Sequence, residues 1–502
     1  MKRTSSKTLR LVVIICAVGA AALMGSVMAE RTVAQDKARD KGQAAVSLGE
    51  MDGLNMGNPV VEQKNLPVTI PPFDKDNDEY VLLAWNNLGM HCLSDSDPYW
   101  ILLPPANDLY AQLVRRGDPP ELITDGVEIS YNVQDGFENP HNQVRFWEFA
   151  DKLLNADLAP AVGVSGRKVN GTMDLEEKHR AYTAAFIPVV PYSEDGAYNP
   201  YPIFTITARE KDTGKVLATT KTVAPTATEM GCKNCHGGGW RVDGVAGFTD
   251  ATSRDVLAAH DKNSGTNLLE LAEKGDPRLC QSCHSDPILG TEGNPELLNF
   301  PAAIHGWHAS FLTDRKGMQA CVACHPARPD GPSQCFRSHH SEFMDCTNCH
   351  GTMEDHALSL LKKEHQAGKK GAARLMEPLK ARFVASVDEI NPRTPWVQQP
   401  DCLTCHEDFE AGFSDNAFNV WTSGPDDLYR NRHDDMDAMM CAACHGSPHA
   451  VYPANLNKLG TKRDSIQPLQ YQKNDRPIGN DCTVCHTVQP DFEAHHPNSL
   501  RM

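Results

Sequence analysis

The chain has 502 residues, of which 65 are Asp or Glu and 48 are Lys or Arg, and its formal net charge is -17. This length exceeds that of a typical single domain, so more than one domain is expected. The acidic balance argues against a nucleic-acid-binding protein, which needs clustered positive charge, and favours docking to basic redox partners.

The first 29 residues have the pattern of a signal peptide. Basic residues precede an apolar run over residues 11–25, and Val27-Met28-Ala29 is a small-residue cleavage signal. We predict a signal peptide over 1–29 and a mature chain in the periplasm or outside the cell, with an uncleaved anchor as the alternative. No later segment is apolar enough to cross a bilayer, so no membrane span is expected after cleavage.

Upstream of the main cysteine-rich part, the chain is predicted to be mostly β-structure. Residues 30–75 are rich in Gly, Asn, Asp, Lys and Pro and are predicted to form a flexible lead-in. Residues 76–225 contain an apolar run at 80–85, an alternating segment at 127–133, and a hairpin of 203–209 with 216–223. We predict a β-sandwich-like domain over 76–225 with one helix at 144–154.

Seven copies of Cys-x-x-Cys-His occur between residues 232 and 486, whereas about 0.02 copies are expected by chance in a chain of this composition. Such a motif binds a c-type haem through two thioether bonds, and its histidine ligates the iron. Zinc is the alternative, but zinc does not require a histidine after every second cysteine. We therefore predict seven covalent haem c groups. The attachment cysteines are Cys232, Cys235, Cys280, Cys283, Cys321, Cys324, Cys346, Cys349, Cys402, Cys405, Cys441, Cys444, Cys482 and Cys485. The proximal iron ligands are His236, His284, His325, His350, His406, His445 and His486.

The spacing of the motifs predicts a domain packed around its haems. Between 20 and 51 residues separate successive motifs, without a fixed period, so the chain is not a solenoid of equal repeats. Side chains that form an ordinary core are scarce after residue 226, and the haems are expected to be the core. The short interval between the third and fourth motifs predicts that their haems are neighbours. We predict a heptahaem cytochrome c domain over 226–502.

Histidines are numerous enough to give every iron a second ligand. Eleven histidines outside the motifs lie after residue 226. One of them lies on a predicted helix whose cap is Ser253, and one member of each pair at 339–340 and 495–496 is expected to bind. His356 is a reserve candidate, and His365 is expected to be exposed. The distal candidates are His260, His305, His308, His340, His433, His449 and His496.

The ligand supply favours an electron carrier over an enzyme. An iron with two protein ligands has no open position for a substrate, and no Cys-x-x-Cys-Lys motif, typical of many cytochrome c nitrite reductases, occurs in the chain. One alternative is a multihaem reductase with one open-site haem acting on a small oxyanion or a metal. The other is a subunit of a polymeric cytochrome filament.

The chain resembles secreted multihaem c-type cytochromes of metal- and mineral-respiring bacteria. The resemblance rests on the haem motifs and on four segments: AWNNLGMHC at 84–92, PYPIFTITAREKDTGKVLATTKTVAPTATEMGCKNCHGG at 200–238, AAHDKNSGTNLLELAEKG at 258–275 and CFRSHHSEFMDCTNCHGTM at 335–353. It implies electron transfer in anaerobic or extracellular respiration. The implied partners are other redox proteins, further copies in a filament, or an extracellular metal acceptor. The expected fold class is α+β multidomain, with the β-sandwich-like domain followed by a haem-packed domain of short helices and loops.

Two cysteines of the predicted mature chain lie outside the motifs. Cys92 and Cys335 form a disulfide in one hypothesis and remain free thiols in the other. The neighbouring His91 is interpreted as a buried histidine, with ligation of the first haem as the alternative.

Overall fold

The computed structural model describes residues 69–328, 331–337, 339–407, 416–453, 468–472 and 481–490. The predicted signal peptide, most of the predicted lead-in and His496 lie outside these residues. The structure is 27% helical and 19% strand, so the α+β class is confirmed.

The described residues contain thirteen strands, most of them between residues 80 and 227. They are β1 (Tyr80–Asn86), β2 (His91–Cys92), β3 (Trp100–Ile101), β4 (Asn107–Arg115), β5 (Glu121–Leu122), β6 (Val127–Val133), β7 (Asn170–Thr172), β8 (Asp174–Glu176), β9 (Ala181–Ile187), β10 (Ile203–Glu210), β11 (Val216–Val223), β12 (Thr226–Ala227) and β13 (Arg278–Leu279). The strands predicted from the apolar and alternating patterns are therefore confirmed.

The same residues contain ten α-helices, which are short except for two. They are α1 (Phe146–Leu154), α2 (Lys233–His236), α3 (Asp250–Ser264), α4 (Leu268–Glu273), α5 (Phe300–Ala309), α6 (Gln319–Val322), α7 (Cys346–His350), α8 (Met353–Gln366), α9 (Lys370–Met376) and α10 (Cys441–His445). Turns of 3-10 helix occupy Pro140–Asn142, Cys280–Ser282, His339–Glu342, Val387–Glu389, Cys402–Thr404, Pro425–Asp427, Tyr429–Asn431, Leu469–Tyr471 and Cys482–Val484. The helix predicted at 144–154 is confirmed as α1.

Two antiparallel sheets share one hydrophobic core. The first has the strand order β1-β4-β9-β8, with β5 also paired to β4, and the second has the order β11-β10-β6-β7. Residues from both sheets, among them Leu82, Leu109, Ile129 and Phe204, lie in a single buried cluster. The predicted hairpin is confirmed, because β10 pairs with β11 from Ile203 opposite Val223 onward.

Strand β1 is buried on both faces. Leu82 and Ala84 point into the core between the sheets. Val81, Leu83 and Trp85 belong to a second buried cluster, which also contains residues of the sixth and seventh Cys-x-x-Cys-His motifs. Burial on both faces explains why this segment is a continuous apolar run instead of an alternating one. The first sheet is therefore packed directly against the last two motifs.

Two parallel strand pairs join residues from either side of position 226. Strand β12 pairs with β2, and β13 pairs with β3. The β13 pair ends immediately before the second motif, which begins at Cys280. These ladders fix the first two motifs against loops of the β-rich region.

A helical side-chain core is formed by segments that lie between the second and fifth motifs, and it corrects one expectation from the sequence. Helices α5, α8 and α9 bury a cluster that includes Ala302, Leu358, Leu361 and Leu375. Helix α8 begins with a capping box, in which Thr352 and Asp355 exchange side-chain and backbone hydrogen bonds. The prediction that side chains after residue 226 form little core is therefore wrong for this part of the chain.

In the described part of the chain, no helix is both long enough and apolar enough to span a membrane.

Candidate functional site

Every Cys-x-x-Cys-His motif folds into a single helical turn. In five motifs the backbone N–H of the histidine donates to the carbonyl of the first cysteine, at 2.9–3.1 Å. The fourth and sixth motifs form the short helices α7 and α10. Residues three and four positions apart lie on one side of such a turn. The two thiols and the imidazole of each motif therefore face the same side.

The sixteen cysteines of the described residues form no disulfide with one another. The disulfide considered between Cys92 and Cys335 is therefore not formed. Burial raises the pKa of Cys444 and Cys485 to about 12, with smaller contributions from neighbouring thiols and, in Cys485, an opposing one from Arg116.

Four motif histidines each face a histidine from elsewhere in the chain, at nearly the same separation. The distances between ring centroids are 6.1 Å for His325 and His305, 6.1 Å for His406 and His340, 6.2 Å for His350 and His449, and 6.5 Å for His236 and His308. All four partners are among the predicted distal candidates. The structure therefore brings these predicted residues together in pairs.

The spacing of the pairs suits two imidazoles on opposite sides of one metal ion. A metal–imidazole bond is about 2 Å long and a ring nitrogen lies about 1 Å from the ring centroid, so two such rings have centroids about 6 Å apart. The angle between the ring planes ranges from 11° for His325 and His305 to 81° for His236 and His308. Two ligands on opposite sides of a metal are free to adopt either angle.

Hydrogen bonds at Nδ1 leave Nε2 available on several of these histidines. In α5, Nδ1 of His305 donates to the Pro301 carbonyl at 2.8 Å, and Nδ1 of His308 donates to the Ile304 carbonyl at 2.7 Å. An imidazole protonated on Nδ1 carries its lone pair on Nε2, which is the form that ligates metals. Helix α5 therefore presents two histidines in the ligating tautomer.

His284 of the second motif and the nearby His260 also form hydrogen bonds through Nδ1. Nδ1 of His284 donates to the Leu298 carbonyl at 2.8 Å, and Nδ1 of His260 donates to the Thr266 hydroxyl at 2.9 Å. The pKa of His260 is lowered, mainly by burial and then by the nearby His284. The predicted cap of this helix is wrong, because α3 begins at Asp250 and the buried Ser253 hydroxyl instead hydrogen-bonds Ser96.

His433 contacts a histidine of the β-rich region. Its ring stacks on His179 with 5.4 Å between centroids and 17° between planes, and its Nε2 donates to the His179 carbonyl at 3.2 Å. Its role as a distal ligand stays a prediction. His445 ends α10, and His486 forms a parallel bridge with Gly117.

His91 is a buried structural histidine, as interpreted from the sequence. Its Nε2 donates to the Pro104 carbonyl at 2.7 Å, and the side chain is almost fully buried. Since Nε2 carries the proton in this hydrogen bond, it has no lone pair for a metal.

No protein-family model matches this chain. No curated protein and no solved structure matches it either. We therefore base the proposed function on the residues themselves.

The buried residue Arg393 lies close in space to the third and fourth motifs and was not predicted from the sequence. Nη2 of Arg393 donates to Nδ1 of His356 at 3.2 Å, and the guanidinium lies over the Trp421 ring. The His356 ring in turn contacts His305 at 4.5 Å and His350 at 5.7 Å between centroids. No motif signals Arg393, because its position depends on tertiary packing.

Arg393 is a buried cation with an unsatisfied donor. It is 7% exposed, its Nε has no hydrogen-bond partner among the described residues, and burial lowers its pKa to about 10. No ion pair with a described carboxylate neutralises it, and a buried charge is costly unless it is paired. An anionic group bound beside Arg393 would therefore accept a hydrogen bond from the unsatisfied donor and neutralise the buried charge.

A carboxylate was also missed beside the first motif. Asp255, which lies in α3, accepts a hydrogen bond from Nδ1 of His236 at 3.3 Å. Metal-bound histidines commonly donate their second nitrogen to a carboxylate, which fixes the tautomer and makes the ligand more basic. The acidic residue on the helix after the motif was the only sequence signal for this contact.

Proposed function

We propose that this chain is an exported heptahaem c-type cytochrome that transfers electrons between redox partners in the periplasm or outside the cell. The observation that carries the proposal is the pairing of four motif histidines with four other histidines at 6.1–6.5 Å. When bound, haem supplies one-electron chemistry by cycling its iron between the ferric and ferrous states. The motif cysteines would hold each haem covalently, and the paired histidines would bind its iron.

The pairing favours haem over zinc. A structural zinc ion takes four protein ligands, whereas a haem iron needs only two because the porphyrin supplies the others. Over the ranges that the structure describes, no group of three or more His, Cys, Asp or Glu side chains is arranged to hold a metal ion. The four motif histidines that each face a predicted distal histidine therefore suit haem better than zinc.

The buried cation also fits a haem. A haem carries two propionate carboxylates, and Arg393 has a free Nε donor and no carboxylate partner in the described chain. A propionate from the third or fourth haem would satisfy this donor and neutralise the charge. His356 accepts from Arg393 through Nδ1 and so carries its proton on Nε2, which excludes it as a ligand in this arrangement.

Two protein ligands on an iron favour a carrier over a reductase. An iron bound by two histidines offers no position to a substrate, so its role is to accept and donate electrons. The partners we propose are other redox proteins, an extracellular metal acceptor, or further copies of the chain in a filament. The proposal keeps the signal peptide at 1–29, the β-sandwich-like domain at 76–225 and the haem domain at 226–502. The core shared by the two sheets supports the sandwich.

Intact mass measurement of the exported protein tests the proposal. We expect the mass of a polypeptide cleaved after Ala29 plus seven haems that survive denaturation, because thioether bonds are covalent. The control is Cys92→Ser, which removes a thiol outside the motifs and should leave the haem number unchanged. A denatured chain without bound haem, or one that releases zinc, contradicts the proposal.

A further inference from the structure

The first and third motifs are in direct contact. The backbone N–H of Gly231 donates to the Cys324 carbonyl at 3.0 Å, and Nδ2 of Asn234 donates to the Ala323 carbonyl at 2.9 Å. The second motif therefore does not lie between the first and the third, although it does so in the sequence.

The second motif instead contacts the first from the other side. Cys232 and Cys280 pack against the same buried cluster, which is formed by Tyr99, Trp100 and their neighbours. Helix α3 spans the two motifs, because its Asp255 contacts His236 of the first and its His260 lies near His284 of the second.

The third, fourth and fifth motifs follow in sequence order. The thiol of Cys346 hydrogen-bonds that of Cys321, which joins the fourth motif to the third. The carbonyl of Asn348 in the fourth motif accepts from the backbone N–H of Ala417, which follows the fifth motif. The ring of His340, which precedes the fourth motif, faces His406 of the fifth motif with 6.1 Å between centroids.

The fifth, sixth and seventh motifs continue the series. Arg432, whose carbonyl accepts from the N–H of Cys441, forms an ion pair of 3.2 Å with Asp401 at the start of the fifth motif. Cys444 and Cys485 pack against one buried cluster, so the sixth motif adjoins the seventh. His449 additionally ties the segment after the sixth motif to the fourth.

We infer that the seven attachment motifs form one row in the spatial order second, first, third, fourth, fifth, sixth and seventh. The inference rests on the proposed function, since it assigns the order of the haems from the order of their attachment sites. The ends of the row are the second motif and the seventh, which is held against the first sheet.

The test compares methionine ligands at the first two motifs of the holoprotein. Replacing a histidine ligand by methionine raises the potential of that haem. A haem of raised potential is reduced earlier in the titration, and the added electron is felt most by adjacent haems, because the interaction between charges falls with distance. In a redox titration followed by electron paramagnetic resonance, His284→Met should shift the potential of one other haem. His236→Met should shift two, and the exposed His365→Met should shift none.

The result that overturns the inference is any other pattern, above all two shifted neighbours for His284→Met and one for His236→Met, as sequence order requires. If either variant loses its haem, iron positions from anomalous diffraction of wild-type holoprotein crystals decide the order. An iron of the first motif lying between those of the second and third supports the inference, and one at the end of the row overturns it. The mass of the wild-type protein reports separately on the proposed function.

Discussion

The nitrogen that a histidine uses for hydrogen bonding decides whether its ring suits a metal. His284, His305 and His308 all donate through Nδ1 to backbone carbonyls, which keeps the lone pair on Nε2. His91, His356 and His433 have the opposite protonation, because their partners engage Nε2 as a donor or Nδ1 as an acceptor. The distinction separates rings whose Nε2 is available to a metal from rings whose Nε2 carries the proton.

Removing one distal histidine should leave one haem iron with an open coordination position. We expect His308→Ala to convert one of seven haems from low-spin to high-spin, because its partner His236 would be the only remaining protein ligand. Electron paramagnetic resonance of the oxidised protein measures the change. The matched control is the exposed His365→Ala, which should keep every haem low-spin. An unchanged spectrum for His308→Ala would show that His308 is not a ligand.

The charge of Arg393 should set the potential of the haems beside it. We expect Arg393→Gln to lower the potential of the third or fourth haem, because a nearby positive charge favours the reduced iron. The loss of a charge-assisted hydrogen bond should also cost about 2 kcal/mol of unfolding free energy. Arg393→Lys keeps the charge and should shift the potential less in a redox titration. Equal shifts for the two variants would contradict this role.

The sequence predicted which histidines are candidates but not which ones meet. Clustering of histidines near the motifs pointed to His305, His308, His340 and His449. The ring of His449 nevertheless faces His350, in a motif about one hundred residues earlier. Such pairings depend on tertiary contacts, which spacing along the chain does not encode.

At the scale of elements, periodicity predicted strands better than it predicted helix ends. Strands β6 and β10 alternate in burial as their sequences do. The start of α3 was placed too late, because Ser253 has the chemistry of a cap but is used for a buried contact with Ser96. The core of α5, α8 and α9 was missed because its apolar residues are spread over three separate segments.

A methyl group at Gly231 should force the first and third motifs apart. A Cβ there would collide with the Ala323 carbonyl oxygen, which is backbone and cannot move aside. We expect Gly231→Ala to lower the unfolding free energy by about 3 kcal/mol, measured by thermal denaturation. The matched control is Gly239→Ala near the same motif, where the nearest atom to a Cβ is Thr249 Cγ2 at 3.8 Å. Equal stability of the two variants would contradict the contact.

At the scale of the whole molecule, the β-rich region supports the end of the row of motifs. Val81, Leu83 and Trp85 of β1 pack against residues of the sixth and seventh motifs. Arg116 extends this contact, because its Nε donates to the Val484 carbonyl at 2.8 Å and its Nη2 to the Thr483 carbonyl at 2.9 Å. Composition placed a boundary near residue 226 but contained no signal for contacts across it.

Loss of the Arg116 contact should loosen the seventh motif and leave the other six motifs unchanged. Each hydrogen bond from a charged group contributes about 1.5–3 kcal/mol, so Arg116→Ala should speed hydrogen exchange across residues 481–490. The neighbouring Arg115→Ala is the matched control, because the ion pair of Arg115 with Glu121 is exposed and lies away from the seventh motif. Faster exchange spread over all motifs, or none, would contradict this anchoring.

The proposed function requires seven haems, each with two histidines bound to its iron. Electron paramagnetic resonance of the oxidised wild-type holoprotein, integrated against its iron content, measures whether all seven irons have both ligands. We expect low-spin ferric signals that correspond to all seven irons. A high-spin ferric signal equivalent to one iron would contradict this expectation and indicate a reductase with an open site.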